Sequence, residues 1–309
     1  MQRIPKNRIV FLAIFLLIIA ISLPLYAKAY LLGLLTVAYY FGVFSMSWDL
    51  LFGYAGEVNF GPTFLIGLGA YTAGILNNQF GLDIFLCILI GSLTAVVGGV
   101  VLALPALRLK GPYFGLMTLV AVLLLQNVIV VMADLTGGEI GLTVPDVIAL
   151  NDTSNYYIAL GVMTVSGLIL YSLANSRFGL ILEAIGQNPV EAASLGFNVT
   201  KYKLTAFVIS AFFSGVSGAF LVFYFGSASV GTLINISVGV QVIISAVLGG
   251  RRTIVGAVLG SVFMIAATEA LRPLGTLSTF VVSLIALTVI MIVPGGFLSM
   301  LLGKKEASN

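Results

Sequence analysis

Residues able to do acid–base, nucleophilic or metal chemistry are sparse in this 309-residue chain. Histidine is absent, which removes the commonest general base and the commonest metal ligand. The single cysteine, Cys87, lies in an apolar run, cannot form an internal disulfide and reads as a small packing residue. Asp49 and Glu269 are the acids nearest apolar runs, and nothing in the sequence pairs them. The nearest approach to a phosphate loop, Gly296 to Gly303-Lys304, has six residues between its glycines where a nucleotide cradle needs four. Catalysis is therefore not expected, and no metal or cofactor is implied. Glu57 stands apart. It sits among Gly53, Gly56 and Gly61, where helices can kink and approach closely, and a carboxylate there is costly unless paired or wetted. These four residues are candidates for a path or gate, as are Gly249, Gly250 and Gly256 in a later glycine-rich stretch.

The second stretch with legible chemistry is polar and basic, residues 177–203, RFGLILEAIGQNPVEAASLGFNVTKYK. It spells out a short helix. Asn188 is a good N-cap, Pro189 suits the first helical position, and Glu191 falls three residues after the cap. Gly196 is placed to take the left-handed conformation that ends a helix. A helix this short is not stable alone in water, so it must be held at both ends or docked. Its small apolar face, Ala192, Ala193 and Leu195, suits insertion into a groove on a soluble partner.

These segments need a frame, and composition supplies one. Hydrophobic residues make up 60% of the chain and charged residues 8%, against about 25% charged in soluble domains. Apolar runs near 20 residues recur throughout, which predicts an all-α polytopic membrane protein with no soluble domain. The net charge of +3 is scattered over inter-span loops and gives no argument for nucleic acid. Arg3, Lys6 and Arg8 precede the run from Ile9 to Ala27, which reads as a retained first span because Ala27-Lys28-Ala29 is a weak cleavage site. Basic residues then recur at Arg108, Lys110, Arg177, Lys203, Arg251, Arg252, Lys304 and Lys305, which places both termini and the 177–203 segment in the cytoplasm. The loop from Asp134 to Asn155 carries four acids and no lysine or arginine, as an external loop would. About ten spans result, in one transmembrane domain over residues 1–309. Trp48 and Asp49 read as an interface position, and Val238 to Gly250 is too short to cross as a plain helix. An echo between Ala55-Gly56, Gly61 and Gly249-Gly250, Gly256, Gly260 fits two related halves.

Four segments together resemble a known family. GQNPVEAASLGFN resembles the Glu-Ala-Ala loop of binding-protein-dependent ABC permeases, which docks on the ATPase subunit. GYAGEVNFGPTFLIGLGAYTAGIL, LTGGEIGL with Thr136, Gly137, Gly138 and Gly141, and VLGGRRTIVGAVLGS resemble segments of LivM-type permeases of branched-chain amino acid ABC importers. This chain differs in Glu57, where the family usually has glutamine, and in Asn59-Phe60, where it usually has serine and leucine. Gly186-Gln187-Asn188-Pro189 also replaces a more charged run, and Val255-Gly256-Ala257 replaces Trp-Gly-Pro. The resemblance implies an all-helical permease in the cell membrane, in contact with lipid and with no ATPase site of its own. It implies as partners a second, related permease, two cytoplasmic ATPase subunits and an external solute-binding protein. Branched-chain amino acids are the implied cargo. Urea, amides, other amino acids, a passive channel and a purely structural membrane protein are the alternatives.

Overall fold

The computed structural model describes residues 6–109, 112–275, 277–292 and 296–301. Arg3, Lys110, Gly303, Lys304 and Lys305, used above to orient the chain or to test for a phosphate loop, lie outside the described residues. The elements in chain order are α1 (Lys6–Ser22), α2 (Ala29–Asp49), α3 (Pro62–Phe80), α4 (Ile84–Ala106), α5 (Pro112–Val131) and α6 (Ala133–Thr136). They continue with α7 (Asp152–Asn175), α8 (Arg177–Gln187), α9 (Pro189–Ser194), α10 (Val199–Phe225), α11 (Ile236–Gly249), α12 (Val255–Ala270), α13 (Leu277–Ile292) and α14 (Gly296–Leu301). Two-residue strands β1 (Leu142–Thr143) and β2 (Ser227–Ala228) pair antiparallel.

Six helical segments among the described residues are both long and apolar enough to cross a membrane. They are Ala29–Tyr54, Ile84–Ala106, Pro112–Val131, Asp152–Asn175, Val199–Phe225 and Val230–Gly249. The last of these resolves the short apolar run. A π-helical turn, Val230–Ile234, precedes α11 and lengthens the segment to 20 residues. A second π-helical turn, Leu50–Tyr54, extends α2 in the same way. The apolar helices Ile9–Leu25 and Val255–Ala270 are shorter, and α3 ends in the polar run Asn77-Asn78-Gln79.

Burial separates the helices by role. The apolar windows of α10 and α2 are 72% and 61% buried, against 28–33% for the other four, so these two form the axis and the others face outward. On one side α10 packs with α3 and α4, where glycines let backbones meet: a Cβ on Gly91 would lie 2.6 Å from the Gly69 carbonyl oxygen. On the other side α2 packs with α7, α11 and α12. The axis is joined by Ser217 donating to the Tyr40 carbonyl at 2.8 Å, by the Ser47–Ser214 hydroxyl pair at 3.0 Å, and by Tyr40 stacked on Phe220. Each group draws on both halves of the chain.

Two helices begin inside the bundle. Residues 58–61 turn back beside α2 and α5, with the Trp48 indole N–H donating to the Asn59 carbonyl and the Phe60 N–H donating to Thr118. From the opposite end, Gln126 donates to the Ile234 carbonyl just before α11 starts. Gly239 of α11 then lies against Pro62 and Thr63 of α3. Trp48 and Asp49, the pair read from sequence as an interface position, are 2% and 0% exposed, because the chain folds back over them. Cys87 is fully buried, its thiol directed to the Leu82 carbonyl.

Thr136, Gly137 and Gly138 build a turn at the end away from α8 and α9. The Thr136 hydroxyl donates to the Ile129 and Met132 carbonyls and accepts from the Gly138 N–H, while Gly137, Gly138 and Gly141 take positive φ. The turn delivers the chain to β1, and Asp146 beyond it accepts from Asn77 at 2.7 Å.

Candidate functional site: a capped surface helix and the two turns behind it

The helix α9 forms where its caps place it. The Asn188 Oδ1 accepts the Val190 N–H at 3.1 Å and the Glu191 N–H at 3.3 Å. Glu191 does not reach back to the backbone of the cap; its carboxylate accepts from the Asn188 side-chain amide at 2.6 Å. At the far end Gly196 has φ of 89°. Its N–H donates to the Ala193 carbonyl, and the Phe197 N–H donates to the Ala192 carbonyl, the paired bonds of a Schellman termination. Phe197 then meets Tyr202 edge-on, and Tyr202 stacks on Phe178, so an aromatic cluster ties the end of α9 to both α8 and α10.

The outward face differs from the sequence expectation in one member. Ala192 is buried at 2% exposure and packs inward. Ala193 is exposed, and Val190 and Leu195, at 74% and 75% exposure, flank it. The shift follows from helical spacing: Val190 and Ala193, three positions apart, share a face turned away from Ala192, while Leu195 is the C-cap beyond the last helical residue.

Sequence reading did not anticipate α8. Ser176 caps it by accepting the Phe178 N–H at 3.2 Å, and Gly179, Leu182 and Ile185 form its buried stripe. The signals were present: a serine before an apolar pattern spaced three apart.

Behind α8 lie two turns. The first, residues 55–61, follows the π-helical end of α2. Its Gly56, with φ of 75°, lies so close to α8 that a Cβ would sit 3.2 Å from Gly186 Cα. Its Glu57 makes an ion pair with Lys203 at the start of α10. The second turn, residues 250–254, joins α11 to α12. Arg252 Nε donates to the Gly53 carbonyl at 2.7 Å, and its guanidinium stands 3.5 Å from the Glu183 carboxylate on α8. Tyr54 donates to the Arg252 carbonyl at 2.9 Å. The Arg251 guanidinium covers the Phe52 ring at 4.2 Å, a cation–π contact, and burial together with the adjacent Arg252 lowers its pKa from the ordinary arginine value.

The residue that organises the second turn is Asp49, which sequence reading left without a partner. Its Oδ1 accepts the Arg252 N–H at 3.0 Å, and its Oδ2 accepts the Thr253 and Ile254 N–H groups, each at 3.2 Å. Those donors lie more than 200 residues along the chain, so no local signal could reveal them.

The other glycines singled out from sequence also fall at close contacts. A Cβ on Gly61 would strike the Thr118 carbonyl, and Gly249 and Gly256 press their backbones together between α11 and α12. Gly250 has φ of 115° and lies against Gly296 of α14, while a Cβ on Gly53 would meet the Asp49 carboxylate and lie 3.0 Å from Arg252 N. Glu57 joins the surface-helix assembly through Lys203. A 460 Å³ cavity lies elsewhere, among apolar residues of α1, α2, α7 and α12 such as Leu17, Leu160 and Val258. Among the described residues no group of three or more Cys, Asp or Glu is placed to hold a metal.

Comparison with known proteins fits this arrangement. Residues 30–294 match the family model for the permease component of the branched-chain amino acid transport system. The chain is 26% identical to the high-affinity branched-chain amino acid transport system permease protein LivM of Salmonella typhimurium, over 92% of this chain and 74% of that protein. The LivM protein of Escherichia coli gives the same identity and coverage. The probable branched-chain amino acid transport permease protein LivH of Methanocaldococcus jannaschii is 28% identical over 66% of this chain and 68% of its own. The chain is a multi-pass membrane protein that belongs to the permease family of branched-chain amino acid transport systems and resembles its LivM-type members.

Proposed function

We propose that this chain is one permease subunit of an ATP-driven, binding-protein-dependent importer, with branched-chain amino acids as its cargo. It works as a single membrane domain in the cell membrane. Both termini and residues 177–203 face the cytoplasm, where α9 docks on an ATPase subunit. A second, related permease, two ATPase subunits and an external solute-binding protein complete the assembly, and ATP is hydrolysed in the ATPase subunits.

The observation that carries this reading is α9 itself. A passive pore has no use for a six-residue helix capped at both ends, clamped by aromatics, with Val190, Ala193 and Leu195 standing out from it. A surface so small and so firmly held suits the transfer of displacement from a soluble partner. Thiol labelling of Ser194→Cys and Ser154→Cys, both exposed positions, should report opposite sides of the membrane. Labelling of both from outside would overturn the topology.

The decisive variant is Ala193→Trp. In proteoliposomes holding the assembled complex, it should insert normally yet lose ATP-dependent leucine uptake and substrate-stimulated ATP hydrolysis together. Uptake at the wild-type rate would end the docking argument, and uptake without ATP would favour a facilitator. Competition by valine, urea and acetamide in the same assay sorts the cargo.

A further inference from the structure

The geometry points to Asp49 as a positioning residue for transport: it clamps the turn between α11 and α12 into a stiff arm through which α8 moves the membrane helices. This rests on the importer reading above.

The argument begins with what holds residues 250–254. Five residues reverse the chain, and two non-glycine residues take positive φ, Arg252 at 63° and Ile254 at 50°. Ile254, with ψ of −59°, is the centre of a γ-turn closed by the Val255 N–H on the Thr253 carbonyl. That conformation is rare and strained, and more so for a β-branched residue. Something must overdetermine it, and the Asp49 carboxylate does, by receiving three successive N–H groups at 0% exposure. No apolar side chain could hold the turn this way, because three buried N–H groups would lose their acceptor.

Next comes what the clamped turn touches. On the membrane side it is continuous with α11 and α12, which are locked together at Gly249 and Gly256 and packed on α2. Facing α8, Arg252 spans from the Gly53 carbonyl to Glu183. Glu183 belongs to the helix that leads directly into α9, with Asn188 as the hinge residue between them. A displacement of α9 therefore reaches α8, then Glu183 and Arg252, and then three helices at once. Among the described residues the charge that acts on Asp49 is that of Arg251, while Arg252 offers it a backbone N–H, and both belong to the turn it holds.

A clamp that stiffens a lever makes a prediction that mere structural importance does not. Loosening it should leave the assembly intact but waste ATP. The test uses the full complex in proteoliposomes and reads ATP hydrolysed per amino acid imported, normalised to assembled complex. Asp49→Asn keeps the shape but turns an N–H donor toward the backbone donors. It should raise that ratio about tenfold, with basal hydrolysis by the ATPase subunits retained. Glu183→Gln, which leaves the buried turn alone, should raise it about threefold. A purely structural role predicts less assembled complex at an unchanged ratio. Wild-type ratios in both variants overturn the inference. If Asp49→Asn does not assemble, Glu183→Gln decides: a raised ratio supports the arm and a wild-type ratio overturns it. If wild-type protein itself shows no ATP-dependent uptake, the importer reading fails and takes the arm with it.

Discussion

The two turns behind α8 do comparable jobs by opposite means. Each hands one charged side chain to the surface-helix segment, Glu57 to Lys203 and Arg252 to Glu183. The first turn spends seven residues and uses glycine where the backbone must take positive φ. At its contact with α8, Gly56 lies on Gly186, backbone against backbone. The second is five residues long, places arginine and isoleucine at positive φ, and is pinned from inside by a buried carboxylate. A bare backbone contact can slide at little cost, whereas a turn strained and held by three hydrogen bonds has one geometry. The contrast suggests a bearing on one side of α8 and a lever on the other.

The largest effect should come from spoiling the bearing. Gly56→Val puts a β-branched residue at φ of 75° and a Cβ 3.2 Å from Gly186, and should cost about 3 kcal/mol. A fall in thermal stability of the detergent-purified protein would measure it, and no fall would mean that α8 already stands off. Gly53→Ala comes next at about 2 kcal/mol, because the added methyl meets the Asp49 carboxylate and the Arg252 N–H. Arg252→Lys retains charge but loses the planar fork and the Nε bond to Gly53, a loss of about 1 kcal/mol. The smallest effect should be Glu57→Gln, at under about 1 kcal/mol, because the pair it breaks stays partly wetted, with 17% and 15% of the two side chains exposed. Chemical denaturation can rank the last three on one scale. Should Glu57→Gln prove costlier than Gly53→Ala, the comparison would be reversed, and the first turn would be the one held by charge.

What the sequence disclosed about this site follows the range of its interactions. The caps of α9 lie within nine residues, from Asn188 to Gly196, so residue types alone announce them. Glu57 was recognisable as an acid needing a partner, but Lys203 is 146 positions away and no spacing rule reaches it. Asp49 reads from sequence as an exposed end residue because it follows a tryptophan at the end of an apolar run. Only the return of residues 58–61 and of 252–254 over that end buries it. For the fold, the apolar runs announce helices, but six segments among the described residues, rather than about ten, are long and apolar enough to cross. The run from Val238 reads as too short because the π-helical turn Val230–Ile234 that lengthens it is broken by Gly231 and Thr232. The face of α9 was off by one member, since which residue anchors a short helix depends on what it lies against.

One buried atom gives the molecule an experimental convenience. The chain's only thiol, at Cys87, is sealed between helices and engaged with the Leu82 carbonyl. Membrane-impermeant maleimides should therefore leave the unaltered protein dark. Any cysteine introduced at α8, at α9 or in either turn can be read against a silent background, without first rebuilding the chain as a thiol-free variant.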